Sequence, residues 1–243
     1  MANVSLRGKR VLVTGAAGGV GRALAARLAE EGARQVLADR DAGPLGDLAE
    51  RHGAAFVAGD LGSAEGNAEV FAEVDRALGG LDVLVAAAGI GSEPLMAFSD
   101  ESWREVIASN LVSYVASTRA AVERIRASAP RGEGSVILLG SISVHIKAVG
   151  ESVYNAAKGG VASFAETLRK ELIPDAIRVT LIEPGAIGSA MQPFSPEERA
   201  RLVAENKLLP PAEVAEAIMF AATRPAGVDV VTLRIEPMIQ KIY

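Results

Sequence analysis

The sequence predicts a three-layer, doubly wound α/β fold built on a seven-stranded parallel sheet. Short apolar runs of strand length alternate with longer stretches of helical period along the chain. The strands are apolar on both faces, as burial between two helix layers requires. The 243 residues include 25 glycines and only 4% aromatics, so the core is built of small aliphatic side chains that suit close packing of helix on sheet.

The elements follow in order. Arg10–Thr14 is a strand rich in β-branched residues that runs into glycines. Val20–Glu31 carries Leu24, Ala25 and Leu28 at helical spacing and stops at Gly32. Gln35–Ala38 is the second strand and ends at Asp39, and a weak helix, Leu45–Arg51, leads to strand Ala54–Ala58. His52 closes that helix before Gly53, where a basic residue suits the dipole. Helix Ala64–Leu78 precedes strand Leu81–Ala86, and one long helical region spans Ser99–Ala127. Ser135–Leu139 is the fifth strand, helix Val153–Leu172 follows, and Arg178–Ile182 is the sixth. Two short helices, Pro196–Glu205 and Pro211–Ala222, precede the last strand, Asp229–Ile235. No linker or repeat interrupts the pattern, so one domain is expected over residues 1–243. The least regular stretch, Gly185–Leu209, is expected to be a small lid over a site.

Composition removes several function classes. With 25 basic and 30 acidic residues the net charge is −5, which argues against nucleic acid or an anionic membrane surface as partner. No cysteine is present, so disulfides, thiol nucleophiles and thiolate metal sites are excluded. Two histidines, His52 and His145, are too few for a His-rich metal site or a zinc-dependent alcohol dehydrogenase, and no metal is expected. No Gly-x-Ser-x-Gly elbow supports a hydrolase. The most apolar stretch, Leu81–Ile90, is half the length of a membrane span and carries Asp82. The opening residues lack an apolar signal region before their charges, and a cytoplasmic location is expected.

Two constellations carry chemistry. Thr14-Gly15-Ala16-Ala17-Gly18-Gly19-Val20-Gly21 lies at a strand-to-helix junction. Glycines there permit a tight turn and close approach of backbone to a pyrophosphate, which the helix start then attracts. Asp39, 18 residues past Gly21, can accept both ribose hydroxyls of an adenosine and repel a 2′-phosphate, which favours NAD over NADP. Arg40 dissents, since a guanidinium there can receive that phosphate. The second constellation is Tyr154 and Lys158, four apart on one helical face, with Ser141 at the end of the fifth strand. An ammonium one turn from a phenol favours the phenolate, and Ser141 sits at the ligand-binding edge of a parallel sheet.

With these motifs in register, the sequence resembles the short-chain dehydrogenase/reductase family in its compact single-domain form, which has a Rossmann fold. The resemblance rests on Thr14–Gly21 for TGxxxGxG, Asp60, Asn110, Ser141, Tyr154 and Lys158 for YxxxK, and Pro184-Gly185. It implies Tyr154 as acid/base, Lys158 as its modulator and ribose holder, Ser141 as the polariser of the substrate oxygen, and Asn110 as the anchor of a relay water. It further implies that Gly15, Gly18, Gly19, Val20 and Gly21 cradle the dinucleotide. Asp60 and Leu61 would meet the adenine, Ala88 and Gly89 would pass beneath its ribose, and Pro184, Gly185, Ile187 and Ser189 would flank the nicotinamide. Departures are Ala86-Ala87-Ala88-Gly89 where Asn-Asn-Ala-Gly is common, Glu183 for the usual Asn before Pro184, and no Asp-Gly-Gly near the C-terminus. The first removes side-chain bonds that brace the sheet and implies compensation elsewhere.

The expected activity is NAD-dependent hydride transfer to or from a small to medium secondary alcohol or ketone. An NADP-dependent ketoreductase, including the 3-oxoacyl type, and an inactive nucleotide-binding scaffold are the alternatives. Candidate pocket residues are Ser92, Glu93, Leu95, Ser143, His145, Val149, Glu151, Ala186, Met191 and Phe194, with Ser143, His145 and Met191 foremost beside Ser141 and Tyr154. No cationic cluster is evident in the lid, which disfavours a highly anionic substrate. Trp103 and Tyr114 read as packing or interface residues. The long helices imply a homotetramer, with a dimer as alternative.

Overall fold

The computed structural model describes residues 4–240, so the opening Met1–Asn3 of the chain lies outside the description. Strand β1 (Arg10–Thr14), helix α1 (Gly19–Glu30), β2 (Arg34–Asp39), α2 (Ala42–His52) and β3 (Ala55–Ala58) form the first half with α3 (Ala64–Leu78). Then come β4 (Val83–Ala86), α4 (Asp100–Ile107), a π-helical turn at Ala108–Val112, α5 (Ser113–Ser128) and β5 (Ser135–Leu139). The chain ends with α6 (Ser143–Ile146), α7 (Ser152–Glu171), β6 (Arg178–Pro184), α8 (Pro196–Ala204), α9 (Pro211–Ala222) and β7 (Thr232–Ile235). The seven strands lie in the order β3-β2-β1-β4-β5-β6-β7 and every pairing is parallel. The predicted Rossmann architecture is therefore present. Among the described residues no helix is long and apolar enough to cross a membrane.

Strand alternation builds two cores. Val11, Val13, Leu37, Val85 and Ile137 face one side and pack on α1, α2 and α9 through Leu24, Leu45 and Ile218. Leu12, Val36, Leu84, Val136 and Leu138 face the other and meet Phe71 of α3, Ile125 of α5 and Val161 of α7. Serines set several helix starts: Ser63, Ser99 and Ser195 each accept a first-turn N–H of α3, α4 and α8.

Several predicted bounds differ: α2 begins at Ala42 rather than Leu45, β4 at Val83 rather than Leu81, and β6 runs on to Pro184. The single helix expected over Ser99–Ala127 is broken by the π turn, and β7 begins at Thr232 rather than Asp229. The wide turn has a local cause. Asn110 points inward, with its Nδ2 donating to Val106 O and to Ile90 O, each at 3.0 Å. One extra residue in the turn makes room for that inward side chain beneath the loop after β4.

A polar clamp braces the opposite end of the sheet. Asp82, 4% exposed, accepts from the Arg10 backbone at 2.8 Å, from Nε at 2.9 Å and from Nη2 at 2.7 Å. Burial alone would raise the Asp82 carboxyl, but hydrogen bonds and charge from Arg10 outweigh it and hold the group below its ordinary 3.8. Because the folded value is depressed, this stabilisation is complete above pH 3.8 and drains away as pH falls further. Asp82→Ala strands the guanidinium, and urea titration at pH 7 should register a loss of about 3 kcal/mol.

Candidate active site

The chain leaves β1 toward β2 and leaves β4 toward β5, so the two connections part company at the carboxyl edge of the sheet. A cleft opens at such a switch point. Here its volume is ≈ 1220 Å³, ample for a dinucleotide and a small substrate.

One wall is the glycine loop. Gly15 has φ +68, and a Cβ there would lie 2.6 Å from Ala87 O, so the turn after β1 accepts only glycine. A Cβ on Gly21 would collide with Gly15 O and Ala16, which keeps α1 pressed on the turn. Gly18 caps α1 without a side chain, leaving first-turn N–H groups for an anion. Thr14 ties this loop to the one after β4: its buried Oγ1 accepts from Ala87 N at 3.2 Å and Ala88 N at 3.4 Å.

Beside the loop, Asp39 ends β2. Its Oδ2 accepts from Ala17 N at 2.9 Å and its Oδ1 from Asp41 N at 3.3 Å, so it is tied to the glycine turn while lining the cleft. Arg40 also lines the cleft, but its Nη1 is 2.6 Å from Glu105 Oε1 on α4. Asp60, Leu61, Ala88 and Gly89 line the cleft, as do Pro184, Gly185, Ile187 and Ser189. Gly18, Gly19 and Val20 complete the floor. Gln240, unanticipated from sequence, accepts from Ala186 N at 3.0 Å and packs against Gly185.

The reactive side chains meet across the cleft. Ser141 follows β5, is 8% exposed, and accepts from Ser143 N at 3.1 Å. Its hydroxyl stands near enough to Tyr154, in the first turn of α7, to favour the ionised phenol. Lys158, 3% exposed, donates to Leu139 O at 2.8 Å and to Tyr114 Oη at 2.9 Å, and Tyr114 Oη donates to Leu139 O at 3.0 Å. The Lys158 ammonium sits 4.5 Å from the Tyr114 ring centre and 5.9 Å from that of Tyr154.

Burial pushes Tyr154 up to about 12; the Ser141 hydroxyl opposes this and the Glu151 charge adds to it. Burial likewise pulls Lys158 down to about 7, and its donors go to Tyr114 and Leu139. Tyr154 therefore stands protonated at neutral pH, ready to give a proton. Tyr114, read from sequence as a packing residue, is the buried partner of Lys158; its spacing of four from Asn110 was the available signal.

Asn110 Oδ1 is buried and has no partner. It sits where a Cβ on Gly89 would be 2.5 Å away, and that same point lies 3.8 Å from Lys158 Nζ. The orphaned oxygen suits a bridging water. Together with the bare α1 start and the glycine cradle, it fits these residues to a nicotinamide dinucleotide.

On the substrate side, Ser92, Ser143, Val149, Glu151, Ala186, Met191 and Phe194 line the cleft, whereas Glu93 and Leu95 are absent from its wall. His145 is a correction. It turns away from the cleft and its Nε2 lies 3.0 Å from Oε1 of the buried Glu183, which also faces Arg234 at 3.7 Å. A buried carboxylate under the loop draws the imidazole inward. The lid also differs from expectation, since Arg201 and Lys207 reach the wall. Arg201 pairs with Glu198 and Glu205, and Lys207 with Glu205. Trp103 stays outside, bonded to Asp100.

The chain is similar to several known proteins. The sequence pattern of the family described as short chain dehydrogenase matches residues 9–200. A D-xylose 1-dehydrogenase of Caulobacter vibrioides (strain NA1000 / CB15N) is 35% identical over 236 residues, covering 92% of each chain. An oxidoreductase of Staphylococcus aureus (strain MW2) is 29% identical over 238 residues, 96% of this chain and 99% of that one. The crystal structure of a 3-ketoacyl-(acyl-carrier-protein) reductase from Brucella melitensis complexed with NADH superposes with a TM-score of 0.87 at 28% identity, covering 96% of this chain and 99% of that one.

The buried lysine has a thermodynamic signature. Its folded value of about 7 lies below its ordinary 10.5, so between those pH values the unfolded chain binds a proton that the folded chain lacks. Stability therefore rises with pH through that window, and the cost of desolvating the ammonium is greatest below pH 7. Lys158→Met should raise the Tm most at pH 6, with the gain shrinking toward pH 10.5. Melting curves across that range check this; a gain independent of pH would refute it.

Proposed function

The chain belongs to the short-chain dehydrogenase family, and from that premise we propose that it is an NAD-dependent oxidoreductase acting on a small to medium secondary alcohol or ketone. One observation carries the reading. Ser141, Tyr154 and buried Lys158, one helical turn on, line one cleft with the glycine loop at the same sheet edge.

In the reductive direction Tyr154 donates its phenolic proton to the carbonyl oxygen, and in oxidation it takes the alcohol proton. Ser141 holds that oxygen and stabilises its changing charge. The bound nicotinamide supplies the hydride chemistry. Lys158 holds the cofactor ribose, and Asn110 Oδ1 seats a water that returns protons toward it. The amides at the start of α1 receive the pyrophosphate and Asp39 the adenosine ribose hydroxyls.

The choice of NAD over NADP is supported by the Asp39 carboxylate, which repels a 2′-phosphate, and by the engagement of Arg40 with Glu105. The Brucella reductase is itself an NADH complex. A neutral substrate is supported by the pairing of Arg201 and Lys207 with glutamates. Exposed Met191, Phe194 and Val149 offer the mouth an apolar border. We further propose a cytoplasmic homotetramer, or alternatively a dimer; exposed Val112 and Val115 beside the π turn support association.

Two measurements test this. Tyr154→Phe should lower kcat by about 10²–10⁴-fold while NADH still binds, as read by absorbance and by fluorescence titration. Near-wild-type turnover would sink the assignment. The kcat/KM with NAD should exceed that with NADP by roughly tenfold or more, since like-charge contact costs upward of 1.4 kcal/mol. Asp39→Ala should narrow the gap.

A further inference from the structure

We propose that the substrate carries a hydrogen-bond donor, a hydroxyl or an ammonium, on the carbon beside the reacting carbinol, and that Glu151 receives it. The inference rests on the oxidoreductase reading above and names the substrate class of that site.

Glu151 immediately precedes α7 and stands three residues before Tyr154, so the two side chains are neighbours along the helix start. It lines the cleft together with Ser141 and Tyr154. Its side chain makes no cap hydrogen bond to the helix. Its Oε2 is shut off from solvent and has no hydrogen-bond partner. The cations nearest in sequence are committed elsewhere: Lys147 Nζ donates to Val144 O at 2.8 Å, and His145 faces Glu183 at 3.0 Å. Among the described residues no ion pair engages Glu151.

A buried carboxylate oxygen without a donor is costly, and the cost is relieved when a donor arrives. An ionised carboxylate only accepts, so the incoming group must donate, and a carboxylate or phosphate would be repelled. The charge of Glu151 also bears on the Tyr154 phenol. With Ser141 and Tyr154 gripping the reacting oxygen, a donor on the adjacent carbon meets Glu151. A hydroxyl or an ammonium would reach the carboxylate through Oε1, which is not shut off as Oε2 is.

The test compares butan-2-ol, butane-2,3-diol and 3-aminobutan-2-ol as substrates with NAD. Wild-type kcat/KM should favour one or both donor-bearing alcohols over butan-2-ol by tenfold or more. Preference for the diol alone identifies a hydroxyl, and for the amino alcohol alone an ammonium. In Glu151→Leu the preference should collapse to within about threefold of unity; Glu151→Gln should retain part of a diol preference and lose that for the amine. Binding of the same three compounds to the NADH complex, measured by calorimetry, should follow the same order without any turnover. Equal binding by the wild-type protein, or a preference that survives in Glu151→Leu, overturns the proposal. Failure of the oxidoreductase reading looks different: no alcohol yields NADH, while the order of binding persists.

Discussion

The Thr14 hydroxyl receives the N–H groups of Ala87 and Ala88, tying the ends of β1 and β4 together where the chain departs in opposite directions. Everything at the carboxyl edge hangs from this tie. It sets Gly15 against Ala87, and Gly15 in turn sets the start of α1. It also orients the loop whose Ile90 carbonyl receives the Asn110 amide. One threonine hydroxyl suffices for both, since its oxygen can accept two backbone donors at once.

The polar interior beside that edge follows a different logic. Lys158 is deeply buried, yet both of its recorded partners, Tyr114 Oη and Leu139 O, are neutral. Neutral partners leave the ammonium poorly compensated, which is why burial dominates its ionisation. Tyr154 is governed by the same desolvation with the opposite sign of charge, so its proton is retained. One dry environment thus brings the lysine close to neutrality and keeps the phenol loaded. Contact with an ionised or cationic cofactor is the kind of change to which such a pair responds.

Much of this was legible in sequence because it rests on local rules. Short apolar runs located the strands, and α3 and α9 have the predicted bounds because a capping serine or a proline marks each start. The glycine loop and the Ser141, Tyr154 and Lys158 set were legible because turn geometry and helical spacing are properties of a few neighbouring residues. What stayed hidden depends on long-range contact. His145 was drawn toward Glu183, 38 residues away, and Lys158 toward Tyr114, 44 residues away. The first pairing leaves no trace in local pattern, and the second only the spacing of Tyr114 from Asn110. The lid cations were visible as residues, but their partners Glu198 and Glu205 became apparent only once α8 had formed.

The π turn at Ala108–Val112 has a consequence best put in genetic terms. It acts as a one-residue insertion carried within an otherwise α-helical rod. Removing a single residue there would let the rod revert to regular helix, turning everything on one side by about 100° against the other. Asn110 would leave its place near Lys158, and Tyr114 would swing off Leu139. The segment is therefore intolerant of a change in length. Its reading frame along the helix axis is itself a functional trait.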